Sequence, residues 1–133
     1  MIQIDRGIAG VRLGNSRAEV RAALGTPNRV RTGTNDFGSF TEYRYRGGIR
    51  VLFQGGTEVS SVSTTGLGDR TTRGVGVRST ERTVRRKVPG VTCETTGGFR
   101  SCHTGDFLIG QRITDFAIRN KRVTRVTVGR VLD

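Results

Sequence analysis

The sequence predicts an α+β fold: a tandem duplication of a helix plus antiparallel β-meander unit, with the helices packed on one face of a curved antiparallel sheet. Three observations lead there. The chain aligns with itself at an offset of 64 residues, a short helix signal opens each half, and glycine-punctuated alternating segments follow each helix signal.

At that offset Asp5-Arg6 falls on Asp69-Arg70, Gly10-Val11 on Gly74-Val75, and Val20-Arg21 on Val84-Arg85. The same frame puts Ile49 on Ile113, Val59 on Val123 and Val62 on Val126. The expected units are residues 1–66 and 67–133, forming one compact body, because the only plausible linker, Gly66-Leu67-Gly68-Asp69-Arg70, is too short for independent domains.

In the first unit Ser16-Arg17-Ala18-Glu19 is a capping box, in which serine and glutamate satisfy each other's first-turn amides. Val20, Ala23 and Leu24 share a helix face, and Gly25-Thr26-Pro27 ends the helix. Residues 40–46 then alternate as a strand, Gly47-Gly48 turns the chain into 49–53, and Gly55-Gly56 turns it into 58–64. In the second unit Ser79 or Thr80 caps a helix bearing Val84 and Val88, stopped by Pro89-Gly90. Strands over 91–93, 100–103, 112–118 and 122–128 follow. Helices this short cannot stand alone in water and must pack on the sheet. The other sheet face is then left to solvent or to a partner.

Cys93 and Cys102 flank Gly97-Gly98, a spacing that closes a hairpin and makes a disulfide easy, with two free structural thiols as the alternative. Two cysteines and one histidine, His103, are too few for a structural zinc site, and the spacing is not that of a redox motif. A disulfide favours an oxidising compartment, so the chain is expected to be secreted or in the cell envelope. Its first residues lack the basic-then-apolar pattern of a secretory signal, which is expected to have been removed. No apolar run is long enough to cross a bilayer as a helix.

The 133 residues carry 23 basic and 11 acidic side chains, a net charge of +12, and this attracts polyanions in general. Catalysis has little to work with. His103 is the one histidine, Asp106 its nearest acidic residue downstream, and no phosphate-cradling glycine motif is present. The chain is therefore expected not to be an enzyme and to need no cofactor or metal.

The stretch from Gly10 to Pro27 (GVRLGNSRAEVRAALGTP) resembles the opening of β-lactamase-inhibitor-protein-like domains and of the SmpA/OmlA outer-membrane lipoproteins. Cys93-Glu94-Thr95-Thr96-Gly97-Gly98 with Cys102-His103 is similar to the disulfide hairpin of the secreted inhibitor. The resemblance implies a curved sheet whose concave face holds a protein partner, with secretion or envelope anchoring. It does not extend to β-lactamase inhibition: the inhibitor's interface is rich in aromatics, and this chain has eight and no tryptophan.

The expected function is a non-catalytic secreted or envelope binding module that engages a protein partner through the open sheet face. Candidate contacts are Tyr43 and Tyr45 on one strand face, Arg44 and Arg46 beside them, and Asp106-Phe107, an acidic–aromatic pair. Tyr43 and Tyr45 read equally as core. The alternative is a binder of nucleic acid or an anionic cell-surface polymer through the arginine-rich second unit, where Arg82, Arg85, Arg86 and Lys87 crowd one helix. The identity of the partner and the oligomeric state are not encoded in any motif.

Overall fold

The computed structural model of the chain describes residues 1–132. It opens with three two-residue strands, β1 (Ile2–Gln3), β2 (Gly7–Ile8) and β3 (Val11–Arg12), paired antiparallel in that order. Helix α1 (Arg17–Leu24) follows, then β4 (Arg29–Asn35), β5 (Gly38–Arg44), β6 (Ile49–Gln54) and β7 (Ser61–Thr64). Helix α2 (Glu81–Lys87) precedes β8 (Thr92–Thr96), β9 (Phe99–His103), β10 (Arg112–Arg119) and β11 (Arg122–Arg130). Strands β4 to β11 form one antiparallel sheet in the order β4-β5-β6-β7-β11-β10-β9-β8. No helix among the described residues is long and apolar enough to cross a membrane.

The fold is mostly β, with 47% of residues in strands and 11% in two short helices, and this corrects the expected α+β tandem of helix-plus-meander units. The physical reason lies in segments without a strand signature. Residues 2–12 fold into the small sheet through tight turns rather than leading directly into a helix; Asp5, Ala9 and Gly10 take positive φ there. Residues 29–35 form a full strand although every one of them is exposed, so no alternation marks it.

The helix boundaries follow from their caps. Ser16 Oγ accepts from the Glu19 amide at 3.1 Å, and the Glu19 carboxylate accepts from the Ser16 amide at 3.0 Å. In α2 the Thr80 hydroxyl accepts from the Thr83 amide. Each helix buries one valine completely, Val20 in α1 and Val84 in α2.

Both helices and the small sheet lie on the same face of the large sheet. Arg17 donates to Thr41 Oγ1 at 2.8 Å and its guanidinium covers the Phe53 ring, while that of Arg21 covers Tyr43. Asp5 reaches β10, its amide donating to Thr114 Oγ1 at 2.7 Å and its carboxylate accepting from Thr104 and Thr114. One continuous core results, running from Ile2, Ile8 and Val11 through Tyr43, Val51 and Val62 to Phe116, Val126 and Val128. The chain halves meet where β7 pairs with β11, Val62 opposite Val128.

Candidate functional site

With every other element stacked on one face, strand alternation decides what the opposite face presents. On β9 the core face takes Cys102, and Phe99, Ser101 and His103 turn the other way. Register brings Asp115 opposite both His103 and Thr127, and Ala117 opposite both Ser101 and Arg125. Further across the sheet, Glu42 lies opposite Leu52, Arg44 opposite Arg50, and Arg50 opposite Ser63. This bare face is polar, half-buried along its central strands, and carries no covering element among the described residues.

Its most built region is a groove of about 760 Å³ lined by Phe99, Ser101, Asp115, Ala117, Arg119 and Arg125, among others. Asp115 sits on the floor. Burial holds its carboxyl above the ordinary range, opposed by a hydrogen bond from Ser101 and by the nearby His103. His103 is fully engaged: Nε2 lies 3.1 Å from a Glu94 carboxylate oxygen and Nδ1 3.1 Å from the Gly105 carbonyl. Phe107 tilts over the imidazole at 4.4 Å between ring centres.

Two aromatics therefore bracket this region. Phe99, 82% exposed, stands at the tip of the β8–β9 hairpin, and Phe107, 54% exposed, covers the other end of β9. Phe99 and His103 are four residue steps apart along β9, about 13 Å. Leu108 and Ile109, which follow Phe107, are also exposed.

The sequence-predicted residues distribute unevenly. Phe107 is at the rim of this face, and Asp106 precedes it in the same exposed loop. Arg44 is on the bare face, where its Nε donates to Glu42 at 2.6 Å. Arg46 is exposed in the turn after β5. Tyr43 is only 3% exposed and packs edge-on against Phe53, so it is core and offers no surface to a partner. Tyr45 turns to the same side, its hydroxyl donating to the Gly25 carbonyl at the end of α1. Phe99, Ser101 and Asp115 were not singled out from sequence; the alternation of β9 and β10 was the signal that could have found them.

On α2 the basic residues have different surroundings, and Arg82 is exposed. Arg85 pairs with Glu81, Arg86 is exposed, and Lys87 reaches back to the Arg73 carbonyl. Cys93 and Cys102 form a disulfide across the directly paired strands β8 and β9. Glu81 approaches the two sulfurs closely enough to suggest a ligand set, but the sulfurs are bonded to each other and Glu81 is held by two arginines.

No family model and no curated protein matches the sequence. Two solved structures share the fold. An extracellular protein containing a SCP domain from Bacillus anthracis str. Ames superposes with a TM-score of 0.61 at 11% identity, over 89% of this chain and 44% of that one. A cysteine-rich secretory protein from Staphylococcus aureus subsp. aureus Mu50 superposes with a TM-score of 0.57 at 10% identity, over 98% of this chain and 50% of that one. The chain spans about half the length of these structures. The likeness found is thus to these proteins and not to the β-lactamase-inhibitor-like or SmpA/OmlA-like families, and that expected kinship is overturned.

Proposed function

We propose that this chain is a non-catalytic, extracellular binding module that engages a protein partner through the bare face of its eight-stranded sheet. The observation that carries the reading is the one-sided architecture. Both helices and the small sheet cover one face, and the other presents a polar floor bracketed by exposed Phe99 and Phe107. Exposed aromatics around a groove with arginine and a desolvated acid have the composition of an interface centre rather than of ordinary surface.

The extracellular assignment is supported by the Cys93–Cys102 disulfide, since such bonds persist in oxidising compartments. The two structures that share the fold are themselves described as extracellular and secretory. The non-catalytic assignment is supported by His103, whose two ring nitrogens are both occupied and whose face is covered by Phe107. A general base needs a free nitrogen within reach of substrate.

The test compares the wild-type chain with a Phe99→Ser/Phe107→Ser variant as bait for secreted and envelope proteins of the source organism. A discrete protein retained by the wild type at high salt and lost with the variant would support the reading. Equal retention by both chains would place the contact elsewhere.

A further inference from the structure

A second concavity, of about 950 Å³, opens between α2 and the β10–β11 hairpin. Its walls come from separate elements: Arg82 and Arg85 from α2, Arg100 from β9, Lys121 from the turn after β10, with Ile118 as an apolar part of the lining. Among the described residues the one carboxylate lining it is Glu81, and it is saturated. Arg100 Nε donates to its Oε1 at 2.6 Å and Arg100 Nη2 to its Oε2 at 2.8 Å, while Arg85 Nε and Nη2 both donate to Oε2 at 3.2 Å.

Four cations against one carboxylate leave the cleft with three uncompensated positive charges. Arg82 and Lys121 have no carboxylate partner among the described residues. The bidentate grip on Glu81 fixes the plane of the Arg100 guanidinium, and Arg85 is held beside it. Both arginines spend their Nε–Nη2 edges on Glu81, and Arg100 Nη1 also donates to Thr95 Oγ1 at 3.2 Å, so the cleft offers an oxyanion their remaining Nη donors together with Arg82 and Lys121. The helical arginine crowd visible in the sequence is thereby resolved into a different set: Arg86 and Lys87 drop out, and Arg100 and Lys121 join.

We propose that this cleft binds a tetrahedral oxyanion, a phosphate or sulfate group that is either free or carried as an ester on a polymer. The site is on the helix side of the sheet and shares no residue with the groove of the bare face that surrounds Asp115, except for Arg100 and Ile118 at their common border. It does not rest on the partner-binding reading, and each can fail alone.

Calorimetric titrations with inorganic phosphate and with dextran sulfate, using uncharged dextran as a blank, test it on three proteins. These are the wild type, Arg82→Gln/Lys121→Gln, and Arg12→Gln/Arg29→Gln, which removes the same charge from exposed positions far from the cleft. The expected result is saturable binding that weakens roughly tenfold or more in Arg82→Gln/Lys121→Gln and changes by less than about twofold in Arg12→Gln/Arg29→Gln. Binding of dextran sulfate alone, with the same dependence on Arg82 and Lys121, assigns the ligand to a polymer; binding of phosphate assigns it to the free ion. Equal weakening in the two variants would reduce the effect to net charge and overturn the site, as would the absence of saturable binding by either probe.

Discussion

At the scale of single residues, Glu81 has the most perturbed acid–base behaviour. Hydrogen bonds from Arg100, and then from Arg85, lower its carboxyl from an ordinary value of 4.5 to about 2, against the opposing effect of burial. An acid depressed in the folded state stabilises the fold above its unfolded value, and the contribution is lost as pH falls through the folded value. Glu81 therefore stabilises the fold fully above about pH 4.5 and ceases to do so near pH 2. Urea midpoints of the wild type and Glu81→Gln are expected to differ at neutral pH and to converge across that window. A gap that stayed constant with pH would mean that packing, not the ion pairs, is what the substitution removes. Only one of the two arginine pairings is of a kind legible in the sequence. The pairing of Glu81 with Arg85, four residues on along the helix, was open to reading but was not drawn, and Arg100 is nineteen residues away and arrives only through sheet register. The same holds on the bare face. Asp106-Phe107 could be singled out as neighbours in sequence, whereas Asp115, Ser101 and Phe99 come together only once β9 pairs with β10.

At the scale of elements, what the sequence made legible were features written within a few residues. The two N-caps and the glycine hairpins are of this kind: Gly97 and Gly98 both take positive φ, as a two-residue turn between strands demands. Because the capping box satisfies two amides at once, Ser16→Ala is expected to destabilise the protein by about 1 kcal/mol, measured by urea unfolding. A loss near zero would show that α1 is held by Val20 and the arginine contacts to Phe53 and Tyr43 alone. What stayed illegible depends on distant partners. Strand β4 exists because β5 pairs with it along its whole length, and as an edge strand with Arg29 and Arg31 exposed it has no inward face to encode. The alternation on β11 is interrupted: Val123 and Val126 both face the core because the pairing with β10 skips Thr124, a bulge that resets the face. A strict period of two would have put one of those valines in solvent.

At the scale of the whole molecule, the pairing of β7 with β11 and the shared core imply that the two chain halves unfold together. The residues happen to supply a clean probe. Both tyrosines, Tyr43 and Tyr45, lie in the first half and there is no tryptophan, so tyrosine emission reports the first half alone, while far-UV circular dichroism reports every strand. The disulfide lies in the second half, at the far edge of the sheet on β9 and β8, five and six strands away from β5, which carries Tyr43 and is followed directly by Tyr45. Replacing Cys93 and Cys102 by serine removes a short loop constraint and is expected to cost roughly 2–3 kcal/mol. If the halves form one cooperative body, tyrosine emission and circular dichroism give the same urea midpoint in the wild type, and the serine variant shifts both by the same amount. The tyrosines would then register the loss of a bond that they do not touch. A tyrosine transition that stays in place while the circular dichroism splits into two steps would mean that β4–β7 with α1 holds its own core. In that case the strand pair β7–β11 would be a contact between two separately stable units rather than the centre of one sheet.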